Sequence, residues 1–312
     1  MGLMKESHFD FAVGGQAVLE GVMMRSPHYS IVSVRDPQGA IQMKQEPFVS
    51  WTSKYRWLGL PLIRGIVHLV ESMKLGYAAL DYSNAIFMGE DPDAKVDRHP
   101  LLHALFAFLS LVYVLGMLAF TLFLLKFLPL WIAEQAAALW PVVKTHYILF
   151  NAIDGLTKIT LFLSYISLIS LLKDIHRVFQ YHGAEHKSIW AYENGLALTV
   201  ENARKQTRFH PRCGTSFIFL VVLMSVLIYT LIPPSEHFYA MLLERIAVIP
   251  LIASLSYELL KWSAKHQDSF GVWLLTQPGL WIQRLTTKEP DDAQLEIALH
   301  SLKAALAAEQ AL

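Results

Sequence analysis

The sequence predicts a mainly α-helical, polytopic membrane protein with about four transmembrane helices and a small β-containing cytoplasmic region at the N-terminus. Of the 312 residues, 54% are hydrophobic and only 17% are charged, whereas soluble domains carry about 25% charged residues. The apolar residues form runs of about 20 residues, the length that a helix needs to cross a bilayer. Lys and Arg are also distributed unequally among the loops, which predicts the loops that face the cytoplasm.

Residues 1–100 are predicted to form a cytoplasmic region with a β-hairpin and a helix. Ser30–Arg35 and Ala40–Lys44 alternate in polarity on either side of the turn sequence Asp36–Gly39. From Trp57 to Ile86 apolar residues recur every three or four positions, which predicts an amphipathic helix or one lying on the membrane surface.

The membrane-crossing part is predicted in residues 101–172 and 216–261, with two helices in each. The four apolar runs are Leu101–Leu128, His146–Leu172, Ser216–Ile232 and Phe238–Lys261. The fourth run is the weakest, because Glu244, Arg245 and Glu258 interrupt it.

The basic residues predict which side each loop faces. The central loop, residues 173–215, holds seven Lys and Arg residues, whereas the loop that begins at Pro233 holds none. The N-terminal region and the tail, residues 262–312, carry Lys and Arg residues as well, so both termini and the central loop are predicted to be cytoplasmic. The tail is expected to contain an amphipathic helix from Asp291 to Leu312.

Charge and cysteine content narrow the range of partners. The formal net charge is zero, so no nucleic-acid partner is expected, and the lipid bilayer is the main predicted partner. The single cysteine, Cys213, cannot form an internal disulfide, which fits a reducing, cytoplasmic setting.

The central loop contains an H-x-x-E-H pattern made by His182, Glu185 and His186. Residues four apart on a helix share one face, so both imidazoles can bind one metal ion, zinc or another divalent metal. Glu185 then becomes the candidate catalytic base of a metal-dependent hydrolase. The alternative is that these are two surface histidines beside a glutamate.

Three residues are candidates for a third metal ligand, namely Cys213, His210 and Glu193. Thiolate, imidazole and carboxylate all suit zinc, and the sequence leaves the choice open. Arg212 is a candidate for binding an anionic substrate, with a role as a basic membrane anchor as the alternative.

The N-terminal block from Gly14 to Arg25 supplies further candidates for substrate binding. Gln16, Glu20 and Arg25 lie beside glycines that allow close approach of the backbone. The alternative is a strand and turn that only pack against neighbouring helices.

Four separated blocks resemble the YqhQ-like family of bacterial membrane proteins of unknown function: Gly14–Arg25, His182–Lys187, Arg212–Phe217 and Pro278–Pro290. The resemblance implies a multi-pass protein of the bacterial cytoplasmic (inner) membrane. Members are commonly described as predicted metal-dependent enzymes, so the resemblance implies a metal site.

The leading hypothesis is a zinc-type hydrolase that acts at the cytoplasmic surface of the membrane. The alternative is a non-enzymatic scaffold or assembly factor that docks a protein partner on its cytoplasmic face. A transporter is a third hypothesis, in which Asp154 and Glu258 carry the function. The sequence does not decide whether the chain forms a homo-oligomer.

Overall fold

The computed structural model describes residues 13–92, 100–232, 235, 237–266 and 269–312. The strands are β1 (Gly14–Val18), β2 (Gly21–Arg25), β3 (Tyr29–Arg35) and β4 (Ile41–Pro47). The helices are α1 (Trp51–Lys54), α2 (Ile63–Phe87), α3 (Pro100–Leu122), α4 (Leu128–Leu139), α5 (Pro141–Thr145), α6 (Tyr147–Ile169), α7 (Lys173–Glu193), α8 (Val200–Arg204), α9 (Gly214–Leu231), α10 (Phe238–Ala247), α11 (Ile249–Lys265), α12 (Phe270–Thr286) and α13 (Asp292–Gln310).

Contacts divide the chain into two compact units. The sheet unit comprises Met1–Pro92, Ile166–Ser216 and Lys261–Leu312, and the helical unit comprises Asp93–Tyr165 and Phe217–Leu260. The sheet unit is therefore built from three segments that are far apart in the sequence.

The four strands form an antiparallel sheet in the order β1-β2-β3-β4. The predicted hairpin is present, with Arg35 opposite Ile41 where β3 and β4 meet the turn. The Asp36 carboxylate accepts hydrogen bonds from the backbone N–H groups of Gln38 at 3.0 Å and Ala40 at 2.8 Å. Gly39 supplies the positive φ of 90° that closes the turn.

Helices cover both faces of the sheet, because alternate residues of each strand point to opposite sides. Met24 and Ile31 belong to a core that includes Tyr181 of α7 and Leu302 of α13. On the opposite face Met23, Val32 and Val34 pack against Ala79 and Tyr82 of α2. The α13 helix begins with a capping box, in which the Asp291 side chain accepts from the Gln294 N–H and the Gln294 side chain accepts from the Asp291 N–H.

Among the described residues, three helical stretches are long and apolar enough to cross a membrane: Phe108–Leu139, Tyr147–Ile169 and Gly214–Leu231. The pair Phe238–Ala247 and Ile249–Ser263 makes a fourth if it counts as one span, with a bend of 42° between its halves. Pro250 lies directly after this break and has no N–H to donate, which accounts for the bend.

The first apolar helix and the tail both differ from the sequence prediction. The first apolar helix continues past Leu128 to Leu139 through a π-helical turn at Phe123–Phe127, because Leu130 and Ala133 pack with Phe150. The tail also contains α12, which the sequence analysis did not anticipate. Pro278 lies inside α12, and the helix continues beyond it to a fully buried Gln283.

Candidate metal centre

The helix α7 carries the two histidines of the H-x-x-E-H pattern. His182 and His186 lie four residues apart, and their ring centroids are separated by 4.4 Å. Gly183 lies between them at a tight contact, where a Cβ atom would overlap the backbone carbonyl oxygen of Lys288. The absence of a side chain at residue 183 therefore allows α7 to approach the chain that follows α12.

Cys213 completes a group of three potential metal ligands. Its Sγ lies 3.2 Å from Nε2 of His182, and the ligand atoms of His182, His186 and Cys213 all lie within 4.8 Å of one another. Thr215 donates a hydrogen bond from Oγ1 to the same sulfur at 3.3 Å. His186 and Cys213 are 2% and 8% exposed, so the group is shielded from bulk water.

Backbone carbonyl groups orient both imidazoles. Nδ1 of His182 lies 2.8 Å from the carbonyl oxygen of Thr286, and Nδ1 of His186 lies 2.6 Å from that of Arg208. A carbonyl oxygen can only accept, so in each ring Nδ1 carries the proton and Nε2 keeps its lone pair. This is the usual arrangement around metal-binding histidines, in which a second partner fixes the tautomer of the ligand.

The two segments that supply these carbonyl groups are tied to α7 and to each other. The Arg208 guanidinium donates to the Thr287 carbonyl oxygen, and the Lys288 N–H donates to the Phe179 carbonyl oxygen at 2.8 Å. The Trp190 indole N–H donates to the Phe209 carbonyl oxygen at 2.8 Å. Sequence analysis missed these positions, because backbone acceptors leave no residue signature.

His210 and Glu193, the other two candidates for a third ligand, pair with each other instead of joining the group of three. His210 Nε2 lies 3.3 Å from Oε2 of Glu193, and Arg212 forms an ion pair with the other carboxylate oxygen. Gln283 fixes the His210 backbone by donating to its carbonyl oxygen and accepting from its N–H, both at 2.8 Å. Burial lowers the pKa of His210 to about 4, while the charge of Glu185 acts in the opposite direction.

Glu185, the candidate base, lies beside the histidines and faces β1. It is 5% exposed and accepts a hydrogen bond from the Gly15 backbone. A Cβ atom at Gly15 would lie 2.8 Å from Cγ of Glu185, so the glycine makes room for this carboxylate. Burial raises the pKa of the Glu185 carboxyl, and electrostatic interactions with the His182 and His210 side chains and the hydrogen bond from the Gly15 backbone act against that shift.

Three of the four candidate substrate-binding residues line one cavity of about 460 Å³, namely Gln16, Arg25 and Arg212. The fourth, Glu20, lies in the turn between β1 and β2 with a φ of 49°. Its carboxylate pairs with Arg177 and accepts from the Tyr181 hydroxyl at 3.1 Å. The structure therefore gives Glu20 a role in fixing the turn against α7.

The donor set fits a zinc ion. With ordinary bond lengths of about 2.3 Å to sulfur and 2.0–2.1 Å to nitrogen, tetrahedral ligand atoms lie about 3.6 Å apart. The 3.2 Å between His182 and Cys213 requires only a small outward movement of these side chains to accept the ion. Two imidazoles and one cysteine sulfur also match the ligand preference of zinc, and a site with three protein ligands would leave a position for a further ligand.

The chain is similar to other proteins whose function is unknown. Residues 60–308 match the family model described as "Protein of unknown function (DUF1385)". The "Uncharacterized protein YqhQ" of Bacillus subtilis (strain 168) is 37% identical over 300 residues, an alignment that covers 93% of this chain and 91% of that protein. No solved structure matches the chain significantly.

Proposed function

Because the chain belongs to the DUF1385 family of proteins of unknown function, we propose its function from the geometry of its own candidate site. The proposed function is that of a metal-dependent membrane enzyme, a hydrolase that binds zinc through His182, His186 and Cys213 at the cytoplasmic surface of the bilayer.

The observation that carries this proposal is the orientation of the two imidazoles. Each Nδ1 is held by a carbonyl oxygen, at 2.8 Å for His182 and 2.6 Å for His186, so both Nε2 atoms keep the lone pair that a metal needs. The buried Cys213 sulfur lies at the same place. Histidines in an ordinary core need no such convergence of two imidazole nitrogens and a cysteine sulfur.

The chemistry follows from the number of ligands. With His182, His186 and Cys213 as its three protein ligands, a zinc ion would supply Lewis acidity to the reaction. Glu185 follows His182 by three residues on α7 and is buried beside it, so we assign it the role of the base that takes a proton from the attacking nucleophile. We assign His210 and Glu193 the role of holding Arg212, the residue before Cys213, and not the role of ligands.

The membrane location is supported by exposure within the helical unit. The most apolar window of Phe108–Leu139 has no buried residue, and its mean hydropathy is 2.4. Only lipid or another apolar surface would stabilise such a helix. The three segments of the sheet unit coincide closely with those that the Lys and Arg distribution predicts to be cytoplasmic, which supports a multi-pass protein of the bacterial inner membrane with both termini inside.

The test is the metal content of detergent-purified, full-length protein, measured by elemental mass spectrometry. Wild type should contain about one zinc per chain, and His186→Ala and Cys213→Ser should lose it. His176→Ala is the matched control, because His176 lies on the same helix and is exposed. Circular dichroism and size-exclusion profiles of each variant separate loss of metal from loss of fold.

A folded wild type that stays metal-free after zinc, manganese and iron are supplied would overturn the proposal and favour a scaffold. If zinc is present, Glu185→Gln should keep it and abolish hydrolysis in a screen of ester, amide and phosphoester substrates. Equal activity of Glu185→Gln and wild type would remove Glu185 from the mechanism.

A further inference from the structure

The open cavity beside the candidate metal centre is lined by three parts of the sheet unit. Its wall includes the backbone of β1 at Gly14 and Gly15, Ser72 on α2, and Arg212 just before Cys213. Its volume of about 460 Å³ falls in the range of small-molecule sites.

The lining of this cavity is positively charged. Arg25 and Arg212 both contribute to the wall, and the described lining residues include no Asp or Glu. Arg212 shares its charge with Glu193. Arg25 has its guanidinium carbon 3.9 Å from the centre of the Phe48 ring, which restricts its orientation.

Neutral donors and apolar side chains complete the wall. The Gln16 amide rests against Gly76 of α2, where a Cβ atom would collide with it. Ser72 adds a hydroxyl group, and Met23 and Leu75 add apolar surface. Planar guanidinium groups with nearby neutral donors suit an oxyanion, and the apolar wall suits an attached carbon chain.

The cavity adjoins the candidate site through two connections. Gly15 lines the cavity and also contacts Glu185, while Arg212 lines it and precedes Cys213 in the chain. A group bound in this cavity would therefore lie close to the residues to which we assign the chemistry.

We propose that the cavity binds the phosphate group of a phosphorylated substrate, an inference that rests on the proposed function and names its substrate class. A phosphomonoester carries about two negative charges near neutral pH, whereas a carboxylate carries one. The guanidinium groups of Arg25 and Arg212 offer several N–H donors in a planar fork, which suits the three terminal oxygens of a phosphate better than the two of a carboxylate. The phosphate can belong to a lipid head group or to a soluble ester, and both would use the same arginines.

The experiment measures binding of inorganic phosphate to detergent-purified, full-length protein by isothermal titration calorimetry, before and after zinc removal with a chelator. Arg25→Gln and Arg212→Gln should each weaken binding about tenfold or more. Gly14→Val should also weaken it by filling space, because nothing lies within 4 Å of a Cβ atom at Gly14. Arg204→Gln is the matched control, since Arg204 pairs with Asp292 at the surface away from the cavity wall.

Binding that persists after zinc removal and falls in the three cavity variants but not in Arg204→Gln supports the proposal, whether or not the protein is a zinc enzyme. Phosphate binding that disappears on zinc removal, or that all variants share, would overturn the proposal of a phosphate site in the cavity. Neither result would contradict the proposed metal centre. Competition by phosphatidic acid vesicles but not by phosphatidylcholine vesicles would show that the phosphate belongs to a lipid head group. Competition by soluble phosphomonoesters alone would show that it belongs to a soluble ester. Gly14→Val keeps the test decisive if Arg212→Gln misfolds through its loss of the Glu193 partner.

Discussion

Replacing Gly183 with alanine tests whether the close approach of α7 to the segment after α12 organises the metal centre. A Cβ atom at residue 183 would overlap the carbonyl oxygen of Lys288 and lie 3.4 Å from Cδ of Pro290. The Lys288 carbonyl belongs to backbone, so a change of side-chain rotamer cannot relieve the overlap. The segment must therefore move away from α7, and Thr286, which holds His182, lies only two residues earlier.

Gly183→Ala has two opposite effects on the stability of the folded protein. Alanine in place of glycine inside a helix gains about 1 kcal/mol, whereas overpacking a tight contact costs about 1–3 kcal/mol. The net change in global stability is then between about zero and 2 kcal/mol of destabilisation. Metal affinity should fall more, by about 10- to 100-fold, because the moved carbonyl is the partner that orients a ligand.

The assay is zinc affinity by competition with a coloured chelator, measured together with thermal unfolding in detergent. Gly271→Ala on α12 is the matched control, because its nearest neighbour is the Ser269 hydroxyl oxygen at 3.8 Å, an ordinary contact. That control should keep zinc affinity and stability. A Gly183→Ala protein that binds zinc as tightly as wild type would refute the argument that this contact positions His182.

Two other parts of the protein give sharp expectations for stability. In the helical unit the buried Asp154 carboxylate accepts hydrogen bonds from both Lys158 and Arg245 at 2.5 Å. Asp154→Asn should therefore destabilise the folded protein by about 3–5 kcal/mol, because two buried cations lose their counter-ion. Arg245→Met should cost clearly less, since Asp154 keeps Lys158, and equal thermal shifts of the two variants would contradict this ranking. In the sheet unit Leu302 is fully buried. Leu302→Ala should lower the free energy of chemical unfolding by about 2–5 kcal/mol without changing the zinc stoichiometry. A decrease below about 1 kcal/mol would show that α13 contributes little to this core.

Local signals in the sequence were sufficient for much of the fold. The hairpin follows from the alternation in β3 and from the Asp36 to Gly39 turn, whose hydrogen bonds involve neighbouring residues only. The apolar helices follow from their length and composition, and Pro250 marks the bend in the fourth. The sequence analysis missed α12, because Pro278 usually ends a helix, and here the residues beyond it, including Gln283, make tertiary contacts.

The candidate site was only partly predictable. Spacing alone placed His182 and His186 on one helical face, as the structure has them. The third ligand could not be chosen, because Cys213, His210 and Glu193 all have suitable donor atoms. The choice depends on tertiary contacts, since His210 pairs with Glu193 while the Cys213 sulfur lies 3.2 Å from His182. The cavity was also beyond prediction, since it joins β1, β2 and α2 to a residue of the central loop.

If the proposed centre binds zinc, the arrangement of its donors links metal binding to assembly of the sheet unit. The central segment supplies the three candidate ligands, His182, His186 and Cys213. The C-terminal segment supplies the Thr286 carbonyl group that orients His182. The N-terminal segment supplies Gly15, against which Glu185 packs. Such a site cannot exist in the unfolded chain, so its binding free energy adds to the stability of the folded unit. The three segments of the sheet unit therefore supply different parts of the proposed centre: the candidate ligands, the carbonyl group that orients His182, and the backbone that packs against Glu185.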